Sequence, residues 1–413
     1  MSIPSNNTVR DKVAPLPIKD VTAKCITKLK AVPMARAAEG FKVPPTLPSD
    51  KLIPQADESI FLKLYVTEGI LKEGKFDITS TDLFPNYIGR IFEVTHQDKT
   101  QLVLVGFSNE LSIDNSSSPS LPFLIYIPPN PQDNANDHRK IYPHLYSKTP
   151  DNDVPIFYKD DADYPYSWDW LYFQCFSNMY RLSYQLKKSK KPYVFAVPLV
   201  RSFSDGIGLL DNAVLLERCL VAIQKTYLDE KLGPDYILED IQRITLASFS
   251  IGDSILSNFI QRNRETSLFR DKTEQLIILD PPFGNPKNRS PIITTIISVM
   301  RANKNKSVFL YTQDAYYIQP LIDAFLKPKG IAFDLSKDKL YFDPKDKRVC
   351  FAYLEPKLFK EGIQDPQLKG VHNTFPNLFI NNAIAKNSLE FRMVDGKAEP
   401  IFSFLQWAPT SSQ

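Results

Sequence analysis

From residue 123 to residue 335, short apolar runs alternate with longer runs whose apolar residues recur at helical spacing. No other feature of the chain restricts its fold as tightly. The short runs are Leu121-Pro-Phe-Leu-Ile-Tyr-Ile127, Tyr193-Val-Phe-Ala-Val-Pro-Leu-Val200, the run opening at Ile244, Gln275-Leu-Ile-Ile-Leu-Asp280, Lys306-Ser-Val-Phe-Leu-Tyr-Thr-Gln-Asp314 and Ile331-Ala-Phe-Asp-Leu335. They are apolar on both faces, the pattern of strands covered by helices on either side. Between them, Trp168, Tyr172, Cys175, Phe176, Met179, Leu182 and Leu186 supply one apolar helical face behind a capping Ser167. Leu216, Cys219, Leu220, Ile223 and Tyr227 supply another over 213–228, with Asp211 as its expected N-cap. Ile255, Leu256, Phe259 and Ile260 mark a third, Ile292, Ile293, Ile296, Ile297 and Met300 a fourth behind Ser290-Pro291, and 315–326 a fifth. The expected fold is α/β, a mostly parallel doubly wound sheet with its site at the carboxyl ends of the strands.

Antiparallel strands lead into this sheet: 60–66, then 90–95 and 101–106, the last two joined across His96-Gln-Asp-Lys-Thr. His96 is read as a solvated turn residue. Residues 1–58, rich in proline and charge, are expected to form an N-terminal arm that is draped over the domain or docks on a partner subunit. Residues 59–413 form the domain. Within it, 132–166 is polar, broken by proline and too long for an ordinary connection, which suggests a lid or an insertion. His138 and His144 lie there without metal-ligand spacing, so no metal site is expected. After residue 335, segments 339–342 and 348–354 extend the sheet or pair as a hairpin. A helix through Leu378, Ile380 and Ile384 and a β-patterned tail from 387 close the chain.

Ile244-Thr-Leu-Ala-Ser-Phe-Ser-Ile-Gly252 reads as strand, tight turn and helix start, with Ser250 at the turn. A serine so placed projects its oxygen above the sheet, and the N–H of Ile251 lies at a helix N-terminus, where it can stabilise an oxyanion. Ser248-Phe-Ser-Ile-Gly252 resembles the G-x-S-x-G nucleophile elbow of the α/β hydrolases, with Ser248 in place of the first glycine. The order of Ser250, an acid and His372 extends the resemblance over roughly residues 85 to 390. If the strand ending at Ile127 is the family's third, the elbow strand is the fifth, Asp280 ends the sixth and Asp314 the seventh. The resemblance then implies a serine hydrolase of esterase, lipase or thioesterase type acting through an acyl-enzyme on an ester or lipid-like small molecule, without a cofactor. In that reading His372 takes the proton of Ser250, and an acid holds the imidazole. Asp314 is preferred over Asp280 because the family usually places the acid after the seventh strand. The family's oxyanion loop reads Pro128-Pro-Asn130-Pro here, so Asn130 or Gln132 would supply the second donor.

Two other readings follow from the same residues. Asp280-Pro281-Pro282-Phe283 resembles the D-P-P-[YF] motif of amino-methylating, S-adenosylmethionine-dependent nucleic-acid methyltransferases. Its position one helix after the only glycine-containing turn candidate conflicts with that family's order. Alternatively, the altered elbow and the proline-filled loop suit an inactive scaffold or assembly subunit on a hydrolase-like fold, with the arm reaching a protein partner.

Charge separates few of these classes. The 50 basic and 47 acidic residues leave a net charge of +3, which argues against a polyanion such as nucleic acid as partner. Cys25, Cys175, Cys219 and Cys350 form no C-x-x-C pair and read as buried thiols in a reducing compartment. The first residues lack the basic and apolar regions of a signal peptide, and no run is long enough to span a membrane. The expectation is a soluble, cytoplasmic protein, with leaderless export compatible with the same residues.

Overall fold

The computed structural model describes residues 13–22, 71–72, 75–76, 87–108, 111, 120–128, 193–199, 206–233, 235–238, 240–282, 289–338, 340–341, 348–353, 372, 375–376, 380, 383, 391–394 and 397–400. In chain order the strands begin with β1 (Ile18–Asp20), β2 (Leu71–Lys72), β3 (Lys75–Phe76), β4 (Tyr87–His96), β5 (Lys99–Ser108), β6 (Phe123–Ile127) and β7 (Val194–Pro198). There follow α1 (Ala213–Leu232), β8 (Ile244–Phe249), α2 (Gly252–Asn263), β9 (Thr273–Leu279), α3 (Ile292–Ala302), β10 (Ser307–Thr312) and α4 (Ala315–Leu321). The last strands are β11 (Leu340–Tyr341), β12 (Val349–Tyr353), β13 (Phe391–Val394) and β14 (Lys397–Pro400).

Ten strands form one sheet in the order β1-β4-β5-β7-β6-β8-β9-β10-β12-β11. The block from β7 to β12 is parallel throughout, whereas β1, β4 and β5 precede it as antiparallel strands and β11 closes the far edge antiparallel to β12. Residues of β6, β7 and β8 are buried on both faces, as their unbroken apolar sequences require. The chain passes from β6 to β7 on one side and then to β8 on the other. The strand order therefore reverses beside β6, and a doubly wound sheet opens a crevice there.

The lead-in hairpin pairs β4 with β5 through a two-residue turn, Gln97 and Asp98, with φ of +48° and +60°. Both positive values match the type I′ turn, whose twist suits paired strands. Part of the predicted arm is an edge strand: β1 pairs with β4, and Leu16 and Val21 are buried on either side of it.

Three local expectations change. Asn212, not Asp211, caps α1, accepting from the N–H groups of Val214 and Leu215, while Asp211 faces Arg262 across 2.7 Å. No strand forms over 331–335: after Gly330, with φ of +70°, Asp334 accepts from the N–H of Ser336 and turns the chain. Phe333 instead packs edge-on against Phe351 of β12. The predicted helix over 315–326 widens after Pro320 into a π-turn at Ile322–Leu326, because proline has no N–H to continue the ladder. Segments 340–341 and 348–353 do both things expected of them, pairing with each other and, through β12, extending the sheet beside β10. The strand expected over 60–66, the helix over 167–186, His138, His144 and the 132–166 loop lie outside the described residues, as do Cys25 and Cys175. Cys219 and Cys350 are buried.

Candidate active site

The turn after β8 is built as the sequence implies, and two backbone constraints define it. Ser250 has φ of +55°, in the left-handed region that non-glycine residues seldom occupy. Its N–H donates to the Leu279 carbonyl at 3.1 Å, so the sheet ladder runs one residue past the strand and holds the strained residue in place. Two residues on, the start of α2 presses against the end of β6. A Cβ on Gly252 would lie 2.6 Å from the Ile127 carbonyl oxygen and 3.0 Å from that of Pro128, so only glycine fits without backbone movement.

The turn after β9 repeats this geometry one strand away. Asp280 has φ of +41°, and its N–H donates to the Tyr311 carbonyl at 2.7 Å. Parallel pairing sets Phe249 beside Leu279, so the next residues, Ser250 and Asp280, end neighbouring strands at the same height. His372 arrives from far along the chain to join them. Its Nε2 lies 2.8 Å from Ser250 Oγ, and its Nδ1 lies 2.5 Å from Asp280 Oδ2. With the ring proton on Nδ1, the imidazole donates to the carboxylate and accepts from the hydroxyl. His372 is 6% exposed, and its ring packs on Phe249 with centroids 4.6 Å apart.

Asp280 is fully buried, and four donors meet its two oxygens. Oδ1 accepts from the Gln313 N–H at 2.9 Å and from Thr312 Oγ1 at 3.3 Å, and Oδ2 accepts from Gln313 Nε2 at 2.6 Å and from His372. A carboxylate has about four lone-pair positions, so none is left for the amine that a methyltransferase would bind there. Phe283 of that motif lies outside the described residues.

The preferred acid, Asp314, is not the one His372 meets. It caps α4, accepting from the Tyr316 N–H at 2.9 Å, and its second oxygen faces Arg289 Nη2 at 3.3 Å. The reason is register. Asp314 follows β10, one strand farther from the serine, and it is the residue immediately before a helix, where a side-chain acceptor satisfies an orphan N–H. Gln313 and Thr312, which the sequence reading passed over, are the residues of that turn that reach the site.

Ile251 follows Ser250 and immediately precedes α2. Its N–H precedes that of Asp253, the first donor bonded within the turn, at 3.0 Å to the Ser250 carbonyl. Helix N-termini leave such early N–H groups without intrahelical partners, and they are oriented for a negative charge. Asn130 and Gln132 lie outside the described residues. Behind the turn, Ser248 Oγ donates to Asp253 Oδ1, and both residues are fully buried. Burial, opposed by the Ser248 hydrogen bond and reinforced by nearby Asp280, pushes the Asp253 carboxyl well above the usual carboxylate range. Among the described residues no cluster of side chains could hold a metal ion, and no helix is long and apolar enough to cross a membrane.

A mostly parallel sheet with antiparallel leading strands, reversing beside a strained serine turn at its carboxyl edge, defines an α/β-hydrolase-like fold. No family model matches the chain, and no curated protein matches it in sequence. Among solved structures it is similar to an α/β hydrolase enzyme from the metagenome of Lake Arreo, Spain, at 10% identity, covering 91% of this chain and 97% of that one with a TM-score of 0.35. A thermostable esterase from Pseudomonas putida matches at 10% identity over 86% of this chain and 94% of its own, with a TM-score of 0.34. An esterase from Pyrococcus furiosus matches at 12% identity over 67% and 83%, with a TM-score of 0.30.

Proposed function

We propose that the protein is a serine hydrolase that cleaves small-molecule esters through an acyl-enzyme. The observation that carries this reading is the continuous line of hydrogen bonds from Ser250 through His372 to Asp280. A serine hydroxyl is a weak nucleophile until a base removes its proton as it attacks. His372 Nε2 stands at the right distance to take that proton, and buried Asp280 both selects the tautomer that leaves Nε2 free to accept and stabilises the imidazolium that results. Attack of Oγ on the ester carbonyl places charge on the carbonyl oxygen, for which the Ile251 N–H is a donor. His372 then returns the proton to the leaving alkoxide, and water, deprotonated by the same imidazole, releases the acid and restores the serine. Every step uses a group of this chain, so the mechanism calls for no cofactor.

The alternative of an inactive scaffold rests on Ser248 and on the prolines after β6. Ser248 is accommodated by its buried contact with Asp253, so loss of the first elbow glycine leaves the serine and histidine within hydrogen-bond distance. That favours the active reading. Labelling with a fluorophosphonate probe tests it: wild type should be modified covalently and Ser250→Ala should not. Folded wild-type protein that takes no label would return the scaffold to first place, with a partner of the N-terminal arm as the next object of search.

A further inference from the structure

Asp253 has no part in the proton path just described, yet it is a fully buried carboxyl at the serine turn. Its backbone N–H donates to the carbonyl of Ser250, and its side chain meets Ser248 Oγ, so it grips the turn on both sides of the serine. The side chain is fully buried, and Oδ2 has no hydrogen-bond partner among the described residues.

Three considerations decide its charge. An ionised carboxylate needs several donors when it is removed from water, and among the described residues this side chain meets a single hydroxyl. Among the described residues, the titratable groups acting on it are Asp280, at the end of β9, whose negative charge opposes a second one, and Tyr317 of α4, whose phenol is itself pushed up by burial. The first turn of α2 pulls the other way, since a helix N-terminus favours an anion, but Asp253 spends its own N–H on Ser250.

We propose that Asp253 is a positioning residue held as the neutral acid, bracing Ser248 to the first turn of α2 so that the strained Ser250 keeps its place while Asp280 remains, among the described residues, the only anion beside His372. The inference rests on the hydrolase reading for its consequence, though not for the protonation state itself. A second negative charge behind the turn would oppose the oxyanion that forms in front of it and would hold the imidazole in its charged, non-basic form. An uncharged brace avoids both effects.

Two measurements test this on the full chain. The infrared difference spectrum between wild type and Asp253→Asn at neutral pH should show the carbonyl stretch of a protonated carboxylic acid in wild type; carboxylate bands in its place would overturn the proposal. Fluorophosphonate labelling supplies the second readout. Asp253→Asn, which keeps a neutral group of the same shape, should label within about 3-fold of wild type, whereas Asp253→Ala, which removes the brace, should label at least about 10-fold more slowly. Ser248→Ala serves as a second route to the unbraced turn should Asp253→Ala fail to fold, and should slow labelling likewise. A folded Asp253→Asn that labels as poorly as the alanine variant would show that the charge is needed, and would overturn the proposal. If wild type itself takes no probe, the hydrolase reading falls, and the infrared result alone upholds or overturns the neutral acid.

Discussion

Ser250 and Asp280 each hold a left-handed backbone that costs a non-glycine residue about 1–3 kcal/mol, and each is held by a ladder bond to the next strand. Two strained residues at the same height on adjacent strands point to a site whose geometry is maintained against local preference. The proposed role of Asp280 as the acid can be tested directly. Asp280→Asn should lower kcat by up to about 10⁴-fold with little change in fold, because an amide that donates to Nδ1 imposes the wrong imidazole tautomer. Asp314→Asn should leave kcat within about 3-fold, since asparagine also caps helices; steady-state assays on a chromogenic ester would distinguish the two. Asp253 adds a pH signature of stability. Its carboxyl is raised in the folded state and has its ordinary value of 3.8 in the unfolded chain, so the folded state binds more protons between those two values. Stability attributable to this group is therefore lost as pH rises above 3.8, and Asp253→Asn loses none. The difference in Tm between variant and wild type should be constant below that pH and should grow in favour of the variant above it. A difference independent of pH would contradict the raised carboxyl.

At the scale of elements, the site depends on how closely α2 approaches β6. Gly252→Ala would drive its Cβ into two backbone carbonyls, neither of which can rotate away, and overpacking of this kind costs about 1–3 kcal/mol. The lower urea midpoint should be accompanied by weaker probe labelling, because the displaced turn carries Ile251. Elsewhere the connections between elements are closed by side chains. Lys306 extends its three donors to the carbonyls of Phe269, Arg270 and Thr273 at 2.6, 3.0 and 2.6 Å, closing the π-turn that ends before β9, while burial lowers its ammonium to about 8. Lys272 and Glu217 pair in the interior between that turn and α1. Such pairs compensate for buried charge more than they add stability.

Across the whole molecule, the sheet ends in edges that must be covered, and β1 covers one of them. Leu16 and Val21 anchor it, the Thr95 N–H donates to the Pro17 carbonyl, and Arg90 joins Asp20 to Glu230 of α1. The arginine contacts are partly exposed and contribute little; the buried side chains and paired backbone contribute more. Removal of residues 1–22 would uncover β4, a ten-residue strand. An unpaired edge of that length is a template for a second copy, so light scattering should report self-association of the truncated protein while its circular dichroism stays close to that of the full chain.

The alternation of apolar and amphipathic runs, acting through local periodicity alone, was enough to specify a doubly wound sheet, its strand ends and the serine turn. Strand and helix periods depend on neighbours only a few residues apart, whereas Ser250 and His372, 122 residues apart, could be paired only through the resemblance of their order in the chain to that of the α/β hydrolases. The acid could not, because Asp280 and Asp314 both follow buried strands and differ only in which strand lies next to β8, a matter of long-range pairing. Ile331-Ala-Phe-Asp-Leu335 has the composition of a strand, but Asp334 and Gly330 turn it and Phe333 finds its partner on β12. The contact between Ser248 and Asp253 was equally hidden. Five residues separate them in sequence, and only the fold of the strained turn brings the hydroxyl to a carboxyl sealed from water, where burial rather than composition sets its charge.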